Sequence, residues 1–526
     1  MYSLAEKRLA ALVNSGSPAA TFSGGKTGLE KESLRVGPDG SIAQTRHPAA
    51  LGSALMHPWI TTDYSEALLE FITPPLDSPA AAVEYLRELQ HFVYLQLEDE
   101  LLWSSSMPCV VAGESSIPIA RYGTSNAGMM KTVYRRGLGY RYGRVMQVIA
   151  GAHYNYSFPD ALWPVLQDLE QDTRPLQEFV SDCYFRLIRN LQRFGWLVPY
   201  LFGASPAVCM SFLGGKPTNL LNFNDSTYYG PHATSLRMCD IGYQNTHEEE
   251  AGFKATYDSL EAYTDSLLRA TETPCPRYAS IGVKVNGEYR QLNANILQIE
   301  NEYYSSIRPK QVPEGNEKPA LALQRRGVRY VELRSLDINI FDPEGISTGQ
   351  CRFLEALMAL ALFQDSPAIS HAERREIDNN LSAVCYRGRE PGLELQRNGR
   401  PVKLKHWAGE LCSALTGFAG LLDSAATGTP YRDALLAQVE SVNDPERTPS
   451  ARILAGMREH NEGYFDYANR MSLQHQQYFL NLPYDAAQFR DHTATVQQSL
   501  TRQQAAEAAD EVSFDEFLQA YFAQTL

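Results

Sequence analysis

The sequence predicts an α+β protein in which about residues 1–345 are rich in short strands and about residues 346–526 are mainly helical. In the first region, several stretches alternate apolar and polar residues with the period of two that a strand requires. In the second region, apolar residues recur every three or four positions, as on one face of a helix. No stretch has the composition of a flexible linker, so we expect the 526 residues to form a single compact unit.

The composition is that of a globular protein, with 44% hydrophobic and 10% aromatic residues. The net charge is −14 and no dense basic tract occurs, which argues against a nucleic-acid partner. The most apolar run, residues 353–363, is too short to cross a bilayer and contains Glu355. We therefore expect neither a nucleic-acid partner nor a membrane association.

The N-terminal residues and the cysteines predict a cytoplasmic protein. Residues 1–13 predict a short amphipathic helix, because Glu6, Lys7 and Arg8 interrupt the apolar run that a signal peptide needs. The eight cysteines are scattered without a Cys-x-x-Cys pair. Free thiols in a reducing compartment are therefore expected, and a zinc site is not.

Three predicted strands near the N-terminus carry carboxylates. The strand at 28–36 places Glu30 and Glu32 on one face. The strand at 67–73 carries Glu70, and Asp63 stands at the end of a short strand just upstream. A helical pattern follows from residue 79 to residue 102.

Further elements are predicted along the rest of the chain. The stretch 151–158 alternates, with His153, Asn155 and Ser157 on one side. A helix is predicted from 176 to 194, and a strand with a polar face from 289 to 299. The segments after residue 345 that predict helices are 350–364, 404–423, 431–442, 450–480 and 496–525.

The stretch 327–339 (GVRYVELRSLDIN) predicts the strand with the most informative pair of side chains. Glu332 and Arg334 share a face and lie about 7 Å apart along a strand. A carboxylate can hold a hard cation and a guanidinium can clamp a phosphoryl oxygen, so the pair suits phosphate chemistry. The alternative is a strand face held by salt bridges, and this stretch alone favours that interpretation.

Several strands together raise the possibility of a metal site. Carboxylates that face inward are costly unless they are paired or bind a metal. If these residues converge, they form a site for several Mg²⁺ or Mn²⁺ ions, with His153 as the softer ligand. Each residue taken singly is more often a solvated, salt-bridged or core side chain. The candidate ligands are Glu30, Glu32, Asp63, Glu70, His153 and Glu332.

Other motifs point to binding or exclude common nucleotide folds. Residues 24–27 (GGKT) resemble the end of a P-loop, but Ala20 stands where the loop needs a glycine. The stretch 121–147 is dense in polar and aromatic residues. Such loops can grip the charged ends of an amino acid or can be a solvated surface, and composition does not separate the two.

Several stretches, in unchanged order from about residue 20 to residue 340, resemble the glutamate–cysteine ligases of the proteobacterial type. Their order and number make the resemblance highly specific. The stretches are 28–35 (GLEKESLR), 59–73 (WITTDYSEALLEFIT), 122–126 (YGTSN), 193–206 (RFGWLVPYLFGASP), 297–302 (LQIENE), 307–310 (IRPK) and 330–339 (YVELRSLDIN).

The resemblance implies a fold and a reaction. The fold is a funnel-like, mostly antiparallel sheet of the glutamine synthetase-like superfamily, surrounded by helices. The reaction is the ATP-dependent ligation of the γ-carboxylate of L-glutamate to the amino group of L-cysteine through a γ-glutamyl phosphate. It is the first step of glutathione biosynthesis.

The resemblance also implies roles for individual residues. The six candidate ligands named above would hold Mg²⁺, for which Mn²⁺ can substitute, and Arg334 would meet the transferred phosphoryl group. ATP would be a co-substrate and the protein a monomer. The residues that would bind the substrates are Tyr64, Tyr134, Arg135, Leu138, Gln147, Arg237, Tyr243 and Tyr304.

Three rival functions stay open at this stage. A carboxylate–amine ligase could use an amine other than cysteine. A metal-dependent hydrolase could use the same carboxylates to activate water, and it would act without ATP. A non-enzymatic binding protein could keep the fold, although the complete set of carboxylates and Arg334 argues against it.

Overall fold

The centre of the fold is an antiparallel sheet. The computed structural model describes residues 2–14, 16, 21–22, 24–242 and 253–525. The strands are β1 (Lys26–Val36), β2 (Ile60–Thr62), β3 (Leu68–Ile72), β4 (Leu101–Leu102), β5 (Ala152–Ser157), β6 (Ala207–Cys209), β7 (Leu221–Asn224), β8 (Thr227–Tyr229), β9 (Lys284–Val285), β10 (Glu288–Tyr289), β11 (Ile307–Lys310), β12 (Tyr330–Leu336), β13 (Glu394–Arg397) and β14 (Arg400–Lys403).

Helices surround the sheet and form most of the last third of the chain. They are α1 (Ser3–Val13), α2 (Pro79–Tyr94), α3 (Asn126–Tyr142), α4 (Leu162–Glu170), α5 (Leu176–Phe194), α6 (Leu197–Phe202), α7 (Met210–Leu213), α8 (Leu260–Glu272), α9 (Pro276–Ala279), α10 (Pro319–Arg326), α11 (Thr348–Phe363), α12 (His371–Arg387), α13 (Leu404–Asp423), α14 (Pro430–Asn443), α15 (Pro449–His460), α16 (Tyr464–Leu480), α17 (Ala486–Ala508) and α18 (Phe514–Phe522).

The central sheet joins strands that are far apart in the chain. Within the described residues its order is β11-β12-β5-β1-β3-β2, with β4 also paired to β1, and every ladder is antiparallel. The register sets Glu30 opposite His153, and it sets Glu32 opposite Glu70. Residues that face each other across a ladder point to the same side of the sheet. The β-strand period therefore gathers the polar residues of four strands on one face.

The opposite face of the sheet packs on helices. Lys31 of β1 is buried and donates to the side chain of Gln90 on α2. Tyr156 of β5 donates to Glu355 on α11 at 3.0 Å. The two helices shield this face from water.

Helix α11 forms the middle of the hydrophobic core. Every residue from 353 to 363 is buried, and the helix packs against α1, α5, α13 and α14. Ser347 and Gln350 form a capping box at its start. The carboxyl group of Glu355 has hydrogen-bond partners inside the core, because the hydroxyls of Tyr156 and Tyr431 both donate to it.

The structure confirms the α+β class and the strands predicted around Glu30, Glu70, His153 and Glu332. The prediction of a strand over 289–299 is wrong, because the chain leaves β10 at Tyr289 for irregular structure. Side chains of that segment donate to backbone carbonyls instead, as Gln291 does to Tyr278 of α9 and Asn293 to Gln298 of the same segment.

Several predicted helix boundaries are also wrong. The helix predicted over 79–102 stops at Tyr94, since Leu101–Leu102 pairs with β1. The helix predicted over 450–480 is broken where Asn461 adopts a positive φ of 51° and ends α15. The helix predicted over 496–525 is the end of α17 followed by the separate α18.

Two cysteines correct the prediction of free thiols. Cys109 and Cys209 form a disulfide with their Cα atoms 5.4 Å apart, although 100 residues separate them in sequence. The other described cysteines are free and buried. No described helix is long and apolar enough to span a membrane.

Candidate active site

Three residues from three adjacent strands form the heart of the acidic face. His153 Nδ1 lies 2.9 Å from Glu30 Oε2 and 3.4 Å from Glu332 Oε1. Asn155 Nδ2 donates to Glu30 Oε1 at 2.9 Å. One ligand atom from each of Glu30, His153 and Glu332 falls within 4.8 Å of the others, a spacing that one metal ion can bridge.

A second acidic group lies beside the first. Glu32 Oε1 lies 3.9 Å from His153 Nε2, and Glu32 Oε2 accepts from the backbone N–H of Gly151 at 2.6 Å. Glu70 faces Glu32 across the ladder between β1 and β3. Asp63 follows β2 directly and acts electrostatically on both carboxylates. Glu32, Glu70 and Asp63 therefore lie near the first group, but among the described residues only Glu30, His153 and Glu332 have ligand atoms close enough to share one ion.

The two carboxylates of the first group, Glu30 and Glu332, favour the ionised form. Burial opposes ionisation of Glu332, but Arg334 and Lys310 outweigh it and hold the pKa of that carboxyl well below its usual value. Burial and the charge of Glu332 likewise oppose ionisation of Glu30, and His153 reverses the balance, so the pKa of Glu30 is lowered. Burial and Arg334 lower the pKa of His153, which leaves the neutral imidazole that binds metals.

The arginines near the second group do not outweigh burial and the repulsion between its carboxylates. Burial and then Asp63 raise the pKa of Glu32 to about 8. Burial raises the pKa of Glu70 well above its usual value, and the charges of Glu30 and Asp63 add to the effect. A bound cation would hold these carboxylates ionised, because it would replace repulsion between like charges with attraction.

Three cationic side chains border the carboxylates. Arg334 Nη1 donates to Glu332 Oε1 at 2.8 Å, and Lys310 Nζ lies 3.0 Å from Glu332 Oε2. Arg237 Nη2 donates to the backbone carbonyl of Arg334 at 3.0 Å. Asp337, fully inside the protein, lies 4.0 Å from Arg237 and is held by the hydroxyl of Ser205 at 2.6 Å. This chain of contacts fixes the orientation of β12 at its arginine.

Helix α3 and the loop after β2 form one wall of the site. Arg135 Nε donates to the backbone carbonyl of Asp63, and its guanidinium lies 4.6 Å from the ring centre of Tyr122. The Tyr122 hydroxyl donates to the same carbonyl at 2.9 Å. Tyr64 is buried against α3, where a Cβ added at Gly139 would lie 2.5 Å from its hydroxyl.

The remaining predicted substrate residues are distributed around this wall. Tyr304 is close enough to Arg237 and Arg334 for both guanidiniums to act on its hydroxyl, although burial still raises its pKa. Leu138 is buried on α3, and Tyr134 is half-buried there. Gln147 is buried in the turn Val145–Val148. Tyr243 lies outside the described residues.

The prediction of polar loops over 121–147 is wrong for most of that stretch, because residues 126–142 form helix α3. Two signals in the sequence mark it. Ser125 caps the helix by accepting from the backbone N–H of Gly128, and Gly143 ends it with a φ of 82°. Polar side chains lie on more than one side of this helix, so it has little amphipathic pattern.

Sequence reasoning also missed two residues that contact the carboxylates. Alternation predicts the correct face for Asn155 but indicates no role for it, and Lys310 stands out only as part of the stretch 307–310. The amide of Asn155 donates to Glu30, and its Oδ1 is buried without a hydrogen-bond donor among the described residues. A buried oxygen without a donor, on a side chain that contacts Glu30, fits a bound metal ion or its water shell.

Comparisons with known proteins identify the family of this chain. The family model described as glutamate-cysteine ligase matches residues 10–384. The chain belongs to the glutamate–cysteine ligase family.

Relatives match over nearly the whole length of this ligase. A glutamate–cysteine ligase from Alcanivorax borkumensis is 49% identical over 522 residues, which cover 98% of this chain and 99% of that protein. One from Pseudomonas entomophila is 49% identical over 499 residues, covering 95% of this chain and 94% of that protein.

A solved structure supports the fold of the ligase independently. The crystal structure of glutamate–cysteine ligase from Francisella tularensis in complex with AMP superposes with a TM-score of 0.89 at 37% identity. The match covers 95% of this chain and 98% of that chain. The mostly antiparallel sheet and its surrounding helices are therefore shared.

Proposed function

We propose that this ligase carries out the reaction of its family on the acidic face of the central sheet. That reaction joins the γ-carboxylate of L-glutamate to the amino group of L-cysteine and consumes ATP, giving γ-glutamylcysteine, ADP and phosphate. The observation that carries the proposal is the cluster of Glu30, His153 and Glu332 beside Arg334. It combines ligands for a hard cation with a guanidinium for a phosphoryl group.

The chemistry begins with activation of a poor acyl donor. The γ-carboxylate of glutamate attacks the γ-phosphorus of ATP, and the bond to the bridging oxygen breaks to release ADP. Bound Mg²⁺ would neutralise charge on the phosphate oxygens. Arg334 is held in place by Glu332, and its guanidinium would stabilise the charge that develops on the transferred group.

The second step forms the amide bond. The amino group of cysteine attacks the carbonyl carbon of the γ-glutamyl phosphate, loses a proton and displaces phosphate. Arg135 and Arg237 would receive substrate carboxylates, and the contacts of Arg135 with the Asp63 carbonyl and of Arg237 with the Arg334 carbonyl support this role. Tyr64, Tyr134, Leu138, Gln147, Tyr243 and Tyr304 complete the proposed substrate pockets.

The metal we propose is Mg²⁺, with Mn²⁺ as a substitute. Five of the six proposed ligands are carboxylates, which hard divalent cations prefer, and one neutral imidazole suits Mn²⁺ as well. The residues fit such an ion, because Asn155 Oδ1 has no donor among the described residues and Glu32 and Glu70 face each other.

We also propose that the whole chain acts as one catalytic unit, as a monomer in the cytoplasm, where ATP is available. The helical last third supports the unit because it contacts the site region directly. Glu507 and Asp510 accept from the backbone N–H groups that precede and begin α3.

The test of the reaction is product identification. The purified ligase with ATP, Mg²⁺, L-glutamate and L-cysteine should release one phosphate for each γ-glutamylcysteine detected by mass spectrometry. Removal of the metal with EDTA should stop both, and Mn²⁺ should restore them. A product that forms without ATP would contradict the proposal, and so would an amine other than cysteine used with higher kcat/KM.

The test of the metal site is Mn²⁺ binding followed by electron paramagnetic resonance. Glu30→Gln and Glu332→Gln should each weaken Mn²⁺ binding by about tenfold or more, since each removes a charged ligand. Glu288→Gln is the matched control, because Glu288 is exposed on β10. Unchanged Mn²⁺ affinity in both site variants would refute the assignment.

A further inference from the structure

A polar cavity lies next to the loop that carries Asp63 and Tyr64, and Glu66 of that loop lines it. Its volume is about 420 Å³, within the range of small-molecule sites. Four arginines line it, which is a high density of positive charge in a protein whose net charge is −14. They are Arg46, Arg121, Arg136 and Arg144.

The arginines of this cavity are not neutralised by ion pairs. Arg136 Nη1 donates to the backbone carbonyl of Tyr289 at 2.5 Å, and Arg144 Nη1 donates to that of Ile117 at 3.1 Å. Both acceptors are neutral, so they orient the guanidiniums without cancelling the charge. In the described ranges no carboxylate lies within ion-pair distance of the four guanidinium groups, although Glu114 accepts from the backbone N–H of Arg144.

Glu66 carries the one carboxylate of the lining, and both of its oxygens already accept hydrogen bonds from backbone N–H groups. Glu66 is buried, and its two oxygens accept from the backbone N–H of His47 at 3.1 Å and of Arg121 at 2.8 Å. Four guanidinium charges against one carboxylate leave the lining with a net charge of +3. Four clustered like charges repel one another, and an anionic ligand would convert that repulsion into attraction.

We propose that this cavity binds a small polyanion that bears two or more phosphate groups. Guanidinium groups bind phosphate through pairs of parallel hydrogen bonds and keep their charge at any physiological pH. Arg46 and Arg121 have exposed side chains, and Arg136 and Arg144 are anchored at one nitrogen. The anchored pair would receive one phosphate and the exposed pair another.

The cavity is separate from the acidic face, but both are lined by the loop after β2 and by helix α3. Glu66 N donates to the backbone carbonyl of Pro118 at 2.9 Å, and Ala120 N donates to that of Tyr64 at 3.1 Å. On α3, Arg136 lines the cavity while its neighbour Arg135 contacts Asp63. The phosphates of the proposed reaction would bind on the acidic face, and the proposed polyanion would bind in the arginine cavity on the other side of α3.

The test is isothermal titration calorimetry with pyrophosphate, in EDTA and at constant ionic strength. Arg46→Gln with Arg121→Gln should weaken pyrophosphate binding by at least about tenfold, since two charged hydrogen-bond donors are lost. Arg490→Gln with Arg502→Gln is the matched control, because both are exposed on α17 and the charge change is the same. The control should bind like the native protein.

The proposal would be overturned if the native protein failed to bind pyrophosphate, or if the double variant bound it with native affinity. It would also be overturned if citrate bound at this cavity and pyrophosphate did not. Orthophosphate should bind more weakly than pyrophosphate because it engages only one pair of arginines. If the double variant does not melt cooperatively by circular dichroism, the single variants Arg46→Gln and Arg121→Gln give the same comparison.

Discussion

At Glu332, a single carboxylate links the cations of the site to its predicted metal ligands. One oxygen accepts from Arg334 and lies near His153, and the other lies beside Lys310. The strand is buried, so these charges interact in a medium of low dielectric constant, where each position matters more than it would in water. The position of Arg334 is thus set by the residue two places before it.

Arg334→Gln should remove most of the turnover without unfolding the ligase. A neutral amide cannot stabilise the charge on the transferred phosphoryl group, and loss of one such donor lowers kcat by about 100-fold or more. Phosphate release at saturating ATP, glutamate and cysteine measures the effect. The control is Arg329→Gln, because Arg329 precedes the same strand and forms an exposed pair with Asp160. Near-normal kcat in Arg334→Gln would remove its phosphoryl role.

Strand β2 depends on a buried histidine at its start. His57 Nδ1 accepts from the backbone N–H of Trp59 at 3.2 Å and of Ile60 at 2.9 Å, so the ring must be neutral at this nitrogen. Burial and then His492 lower the pKa of His57 to about 4. The strand leads directly to Asp63, so this turn helps to place a proposed metal ligand.

His57→Asn should make the fold less sensitive to acid. The native His57 has a pKa of about 4 against about 6.5 when unfolded, so its contribution is complete above pH 6.5 and is lost as pH falls toward 4. An asparagine Oδ1 accepts the same bonds but does not titrate. Urea unfolding at pH 7.5 and pH 5 should show that the native protein loses roughly 2 kcal/mol more than the variant. His460→Asn, an exposed position, is the control, and equal losses in all three would contradict the prediction.

The start of helix α3 is held by the C-terminal helices. Thr124 N donates to Glu507 of α17 at 2.8 Å, and Asn126 N donates to Asp510 at 2.5 Å. Both carboxylates lie at the positive end of the helix dipole. The helix carries Arg135 and Leu138, so its position governs the wall of the site.

Asp510→Ala should loosen this wall. The backbone N–H of Asn126 loses its acceptor, which costs roughly 1 kcal/mol of unfolding free energy. We expect KM for cysteine to rise several-fold, because α3 carries proposed pocket residues, while kcat changes less. Glu511→Ala is the control, since Glu511 is exposed and is the next residue along the chain. If the two variants have the same KM and the same unfolding free energy, the hydrogen bond between Asn126 and Asp510 does not position α3.

Across the whole molecule, a covalent link joins two distant segments. Cys109 lies after β4, and Cys209 ends β6, so the bond closes a loop that contains α3, β5 and α5. A cross-link of this span removes much conformational freedom from the unfolded chain. The link therefore stabilises the relative position of the sheet and the segments around it.

Reduction of the disulfide should lower the unfolding free energy by about 2–4 kcal/mol. Guanidinium denaturation of the oxidised ligase, with and without dithiothreitol, measures the difference. The variant Cys109→Ser with Cys209→Ser should unfold like the reduced protein and should not respond to the reductant. A native protein that is equally stable in both conditions would show that the bond contributes nothing.

Much of the acidic face was predictable because strand periodicity is local. Alternation alone places Glu30 and Glu32 together on one strand, and Glu332 and Arg334 together on another, and the structure agrees. The same holds for the buried helix α11, whose apolar run is visible in the sequence. These features depend only on neighbours in the chain.

Tertiary structure alone decided which of these local pieces meet. The setting of β1 between β5 and β3 brings Glu30 to His153 and Glu32 to Glu70, and no pattern within a strand specifies its partners. The opposite face of the sheet contacts α2 through Lys31 and α11 through Tyr156, and these contacts also join distant parts of the chain. The bond between Cys109 and Cys209, the unpaired oxygen of Asn155 and the arginine cavity depend on the same long-range packing, so they appear only once the chain is folded.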